Sequence, residues 1–248
     1  MPLSAVESNW VYFLRISART GVKIERHNQE FKIKNPVFNH TAIVRGGQSS
    51  DIFVYIQLFY HNEYQPLIGN IKSEVRQLTI IDAGANAGFF SLYCHHFFKQ
   101  PRIICIEPDR HNCLQIGKQR AENQEPSWDV EQAALWTKPA NVSIVKKQDG
   151  LEWNYQVEED PSGPIQALTL AGLFAKYELK NVDILKIDVE GSEVSLFLDE
   201  SFRRIVNERV RCLAIETHDA EGHTLIAGFL RDHFNVSSKE PLIFAYPK

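Results

Sequence analysis

The chain has 248 residues, 44% hydrophobic and 23% charged, with 27 Lys and Arg against 31 Asp and Glu for a net charge of −4. That length holds one large domain or a domain with a small cap, and the composition excludes a disordered chain. The acidic balance excludes a nucleic-acid binder that works through a basic surface, so no nucleic-acid partner is expected.

The first residues, MPLSAVESNWVYFLR, carry an acid before the first base and no apolar core, unlike a signal peptide. No run approaches the roughly 20 apolar residues of a membrane span, so a cytoplasmic protein without a membrane partner is expected. An amphipathic helix is predicted over residues 6–19, with Val6, Trp10, Phe13, Leu14 and Ser17 inward. Short strands follow at 31–33 and 41–44, and the apolar stretch 51–60 reads equally as buried helix or strand. We read residues 1–75 as a cap region packed on a main domain of residues 76–248.

From residue 78 apolar runs and helical patterns alternate. The runs at 78–83, 102–107, 130–136, 182–188 and 210–216 read as buried strands, and 89–98, 112–122, 169–179 and 192–206 as helices. On the last helix Val194, Phe197, Leu198, Phe202 and Ile205 share a face, and Thr169 is placed to cap the one before it. Such alternation implies an α/β fold with a mostly parallel sheet and helices on both faces. Residues 146–166 read as an irregular insertion, a solvated loop or a lid, whose Trp153 and Tyr155 either stack on a ring or anchor the loop. The segments 234–238 and 242–246, around Lys239-Glu240-Pro241, read as a closing C-terminal hairpin. Cys94, Cys105, Cys113 and Cys212 show no CxxC spacing, so buried reduced thiols are expected and a metal cluster is not.

The most informative stretch is LTIIDAGANAGFFSL at 78–92. A buried strand exits into a glycine loop (Gly84, Ala85, Asn86, Ala87, Gly88) and a helix start, the arrangement that builds a nucleotide site at a strand's carboxyl end. Dinucleotide enzymes usually show G-x-G-x-x-G there. Here Asp82 precedes the first glycine, and an acid suits a cationic amino-acid ligand such as S-adenosylmethionine better than a pyrophosphate. Strand two ends at Glu107-Pro108, where an acid can accept from ribose hydroxyls, as it also would for NAD. Strand four reads DILKIDVEGSE: Lys186 needs an ion partner, Asp188 or Glu216, and the bland structural reading stands beside a site role. Strand five ends in Glu216-Thr217-His218, with His218 at the tip as a general-base candidate.

Together IDAGANAGFFSL, ICIEPDRHN, ALTLAGLF, DILKIDVEGSE, LAIETH and the upstream RGGQSSDIFVYIQLFYHNEY resemble the FkbM family of S-adenosylmethionine-dependent methyltransferases over most of residues 45–218. Ala171 departs from the acid usual in that family's corresponding helix start. The resemblance implies a Rossmann-like class I methyltransferase fold and methyl transfer to a hydroxyl, commonly on a sugar or a natural-product (polyketide-like) scaffold. It implies that Asp82, Gly84, Ala85, Asn86 and Gly88 hold the methionine part of the donor, and that Glu107 and Pro108 lie at the ribose. Ala133 and Ala134 would lie near the adenine, with Asp188 facing donor or acceptor. The proton of the acceptor would go to one of Asp188, Glu190, Glu216 and His218, with His218 and Asp188 first. A divalent ion on those four side chains is a less favoured variant. A nucleotide-dependent oxidoreductase and a donor-binding module without catalysis are the readings from other classes.

Overall fold

The computed structural model describes residues 5–248 except 39, 48, 72–76, 126 and 147–154. Helix α1 (Ala5–Thr20) leads into a three-stranded antiparallel sheet of β1 (Lys23–His27), β2 (Glu30–Lys34) and β3 (Thr41–Arg45), then α2 (Asp51–Phe59) and α3 (Gln65–Ile71). The alternating part begins with β4 (Thr79–Ala83), α4 (Phe89–Phe97), β5 (Arg102–Ile106), α5 (Arg110–Glu122) and β6 (Trp128–Glu131). Next come β7 (Ala133–Leu135), β8 (Ala140–Lys146), β9 (Tyr155–Glu159), β10 (Ile165–Leu168) and α6 (Leu170–Lys176). The chain closes with β11 (Val182–Ile187), α7 (Glu193–Leu198), α8 (Glu200–Arg209), β12 (Val210–Glu216), α9 (Ala220–Arg231), β13 (Phe234–Lys239) and β14 (Leu242–Pro247).

The main sheet runs β13-β14-β12-β11-β4-β5-β6. Strands β6, β5, β4, β11 and β12 are parallel, and β14 lies antiparallel between β12 and β13, which makes the expected C-terminal hairpin. The chain reverses direction of travel at β4, placing a crevice between the β4 and β11 strand ends in a Rossmann-like α/β fold. Each central strand feeds two cores by its period of two. Ile80, Ile103, Ile184 and Cys212 face one side, packed with α1, α2 and α4 residues such as Phe13, Tyr55 and Phe89. Ile81, Ile104, Leu185 and Leu213 face the other, under Leu173, Phe202 and Ile226 of α6, α8 and α9. Both faces are covered, so the strands read as unbroken apolar runs.

Several expectations are refined. The ambiguous 51–60 stretch is helix α2: Ile52, Tyr55, Ile56 and Phe59 are buried at helical spacing while Phe53 is exposed. The strand expected at 130–136 breaks at Gln132, so β6 stays on the main sheet and β7 joins a second sheet, β7-β10-β8-β9. The insertion at 146–166 is therefore not irregular throughout, since β9 and part of β10 lie within it. Trp153 lies outside the described residues. The helix expected at 192–206 is two, because Asp199 stops α7 and caps α8 by accepting from the Phe202 N–H at 2.7 Å. Leu198 and Leu14, expected inward, are exposed. Thr169 does cap α6 through the Gly172 N–H. All four cysteines are free.

Two features of this packing make predictions. His40 is 6% exposed among Phe38, Phe59 and His96, and neither ring nitrogen meets a hydrogen-bond partner among the described residues. Burial, then the neighbouring His96 and His95, pushes its pKa down to about 3. The unfolded chain binds this proton near pH 6.5 and the folded chain does not, so stability falls as pH drops below 6.5. Unfolding free energies from urea melts at pH 7.5 and 5 should differ by up to about 2 kcal/mol more in the parent than in His40→Phe. Second, Gly84 has φ +73°, and a Cβ there would sit 1.7 Å from the Asp188 carbonyl oxygen. Gly84→Ala should cost about 3 kcal/mol or more, seen in thermal melts as a drop of roughly 6–12 °C.

Candidate active site

The loop after β4 is fixed by the end of β5. The Gly84 and Ala85 N–H groups both donate to the Ile106 carbonyl, at 2.9 and 3.1 Å, and the Asn86 N–H donates to Glu107 Oε2 at 2.8 Å. Asn86 and Gly88 take positive φ, +48° and +80°, which turns the chain into α4. Three successive N–H groups of the loop are thus already engaged within the protein. On the other side Asp188 N donates to the Ala83 carbonyl at 3.0 Å, so the β4 and β11 exits lie against each other.

Glu107 is buried and accepts from three donors: the N–H groups of Asn86 and Asp109 and the Asn112 amide. Burial outweighs those bonds and raises its pKa to about 7. Asn112 is in turn oriented by Arg45, whose guanidinium donates to Asn112 Oδ1 at 2.9 Å and to both oxygens of the buried Asp51. The Asp51 carboxylate also accepts the Arg45 N–H, pinning β3 to the start of α2. A polar chain therefore runs from the N-terminal region to the donor-side acid: Asp51, Arg45, Asn112, Glu107, Asn86.

Lys186 and Asp82 are cross-strand partners in the β11–β4 register, and both are buried. The ammonium donates to the Gly84 carbonyl at 2.6 Å and lies 3.3 Å from Asp188 and 3.5 Å from Asp82. Burial opposes its charge, but Asp188, Asp82 and Glu216 outweigh it and the pKa is raised. Asp82 also accepts from Ser91 Oγ at 2.7 Å. His218 stands between two acids, Nε2 at 3.2 Å from Glu190 and Nδ1 at 3.2 Å from Glu193. Its pKa rises to about 11 although burial opposes the charge, because both nitrogens donate to carboxylates. Glu193 also accepts the Val189 and Gly191 N–H groups, shaping the turn after β11. Glu216 has a raised pKa, first from burial and then from the charge of Asp188.

Two cavities meet at this partition. One is an apolar crevice walled by Ile106, Ala133, Ala134, Leu135 and Val157, with Glu107 and Pro108 at one end. The other lies toward the N-terminal region, with Phe53, Leu58, Phe89 and Phe90 facing Glu216 and His218. Gly84, Asn86, Asp188 and Glu190 line both. Ala85 lines only the second, whereas Asp82 and Gly88 line neither: Asp82 points into the sheet at Ser91 and Lys186, and Gly88 packs on Ile116. Asn112, Val157, Phe53 and Tyr64 also line these cavities without being site residues in the sequence reading: Val157, Phe53 and Tyr64 come from distant elements, and Asn112 lies on α5 just past Glu107. Asp188, Glu190 and His218 offer ligand atoms within 4.8 Å of one another, close enough for a cation. Each is already paired, however, Asp188 with Lys186 and Glu190 with His218, so the set fits a self-compensated ion network and not a metal centre.

The crevice suits a nucleoside with a cationic sulfonium: apolar walls for a base, a buried acid with a lone pair left on Oε2 for a hydroxyl, and carboxylates at the partition. Residues 82–233 match the family model described as "Methyltransferase FkbM domain". No curated protein matches the chain significantly. Among solved structures it is similar to precorrin-6y C5,15-methyltransferase from Geobacter metallireducens GS-15, with 13% identity over 77% of this chain and 92% of that one and a TM-score of 0.46. It is also similar to the N-terminal domain of human METTL16 in complex with SAH, with 12% identity over 93% and 76% and a TM-score of 0.47. The family match covers well over half of the sequence, and the chain belongs to the FkbM family of S-adenosylmethionine-dependent methyltransferases, with a Rossmann-like class I fold.

Proposed function

We propose that the chain transfers a methyl group to a hydroxyl of a small molecule, a sugar or a natural-product scaffold, without a metal. The observation that carries this reading is the shared partition: a nucleoside crevice and a separate, partly aromatic cavity meet at Gly84, Asn86, Asp188 and Glu190. S-adenosylmethionine, when bound, supplies a methyl group already activated on a sulfonium. The protein then has to align the acceptor and take up one proton, and alignment alone is worth roughly 7–11 kcal/mol.

In this reading Glu107 accepts from a ribose hydroxyl, Ala133, Ala134 and Val157 hold the base, and Asp188 and Glu190 face the sulfonium. Asp82 acts through Lys186 and Ser91, fixing the loop from behind. The described residues before residue 72 form the cap that closes the acceptor side, since Phe53 and Leu58 of α2 contribute to its wall. Glu216 is the proton acceptor: it lines only the acceptor cavity, and burial raises its affinity for a proton toward the range useful to a general base. His218, protonated on both nitrogens, has no lone pair to serve as a base and instead orients the acceptor.

Donor-site titrations with S-adenosylhomocysteine test the first half. The ionised Glu107 is the better acceptor of hydroxyl donors, so affinity should rise about tenfold between pH 6 and 8 and be weak and flat in Glu107→Gln. In Arg45→Met the Asn112 amide is free to turn its carbonyl toward Glu107, so the midpoint should move to higher pH; an unmoved midpoint removes Arg45 from the donor site. Steady-state kinetics test the second half. Glu216→Gln should lower kcat by roughly 10²–10⁴ with donor affinity intact, while His218→Gln should mainly raise the acceptor KM, and a chelator should change neither.

A further inference from the structure

We propose that the acceptor is a hydroxy amine, its ammonium group held among the carboxylates and aromatic side chains that line the second cavity. The inference rests on reading that cavity as the acceptor's. Four carboxylates line it (Glu63, Asp188, Glu190 and Glu216) against two cations, Lys186 and His218. Neither cation is available to a ligand anion. Lys186 is held by the Gly84 carbonyl, Asp82 and Asp188, and His218 by Glu190 and by Glu193 behind the wall. Glu63 and Glu216 form no salt bridge among the described residues. With all four carboxylates ionised, a bound donor adds one net positive charge, from its sulfonium, and still leaves the cavity negative; without a further cation that charge is relieved only by taking up a proton.

That imbalance decides between acceptor classes. A phosphorylated or carboxylated acceptor would add like charge to a buried acidic site, which is costly. A neutral polyol would leave the excess uncompensated. An ammonium removes it, and aromatic side chains in the lining (Phe53, Phe89 and Phe90) favour a cation over a neutral group. The raised pKa values of Glu63, Glu190 and Glu216, each due first to burial, fit a site in which protons stand in for a missing cation. The hydroxyl remains the nucleophile: its oxygen forms the new bond to the methyl carbon, the carbon–sulfur bond breaks toward the sulfide, and the hydroxyl proton passes to the carboxylate of Glu216. The ammonium keeps its protons and serves only to anchor the molecule.

The test uses the intact protein and matched acceptors at pH 7: glucosamine, glucose and N-acetylglucosamine, and 2-aminocyclohexanol beside cyclohexane-1,2-diol. Saturation-transfer NMR in the presence of S-adenosylhomocysteine reads binding, and product release from S-adenosylmethionine reads turnover. Each amine should exceed its neutral partners at least tenfold in kcat/KM and in binding, and Glu63→Gln should shrink that ratio below threefold. Neutral partners that bind as well as the amines, or amines that do not bind while S-adenosylhomocysteine does, overturn the proposal and leave the methyltransferase reading in place. A protein that binds neither donor nor product overturns the functional reading itself.

Discussion

The close approach of two backbone turns governs this molecule. The exit of β4 lies so tightly on the exit of β11 that Gly84 has no room for a side-chain carbon beside the Asp188 carbonyl. The contact is reinforced by charge, because Lys186 reaches from β11 to the Gly84 carbonyl and is itself balanced by Asp82 and Asp188. A lysine buried in a central strand is tolerable only with such partners, and its removal would leave the buried Asp82 without its cation and facing Asp188 at the cavity edge. The partition between the two cavities is therefore main chain held by a buried ion cluster. Its position does not depend on the rotamers of flexible surface residues.

A second dependence links the N-terminal region to the donor side. Asp51 and Arg45 belong to elements that sit outside the alternating α/β pattern, yet their bonds end on Asn112 and so on Glu107. The chain of contacts fixes the orientation of one amide, and the amide decides whether Glu107 meets a donor or an acceptor. Residues 82–233 carry the family match, but the electrostatics of the acid within them are set partly by residues before it.

The strands, the glycine loop and the acids at the strand ends were legible because buried parallel strands are continuous apolar runs that glycine interrupts only where the backbone must turn. Strand β1, with the sequence KIERH and almost wholly exposed, gave no such signal. The break at Gln132 was hidden because β6 and β7 are separated by that single residue, and only the hydrogen bonding assigns them to different sheets. The direction of Asp82 was available in principle. It shares a face with Ile80 by the period of two, and therefore looks toward α4 and Ser91 and not out of the strand tip. The same parity sets Lys186 beside Ile184 and Glu216 beside Ala214, gathering the charged side chains on the face that the N-terminal region covers. The charge state of His218 was not legible, because Glu190 and Glu193 reach it only through the turn that Glu193 itself holds.

The division of the core has a consequence for what counts as one unit of this protein. Alternate residues of β4, β5, β11 and β12 pack against elements that precede residue 72, and β14, beyond the family match, lies inside the sheet between β12 and β13. A fragment cut to the matched region would keep α4 and α5 on that face but lose the cover that α1, α2 and α3 supply, and with it an interior strand from the other end. The segment that the family model recognises is thus smaller than the segment over which the hydrophobic core is continuous.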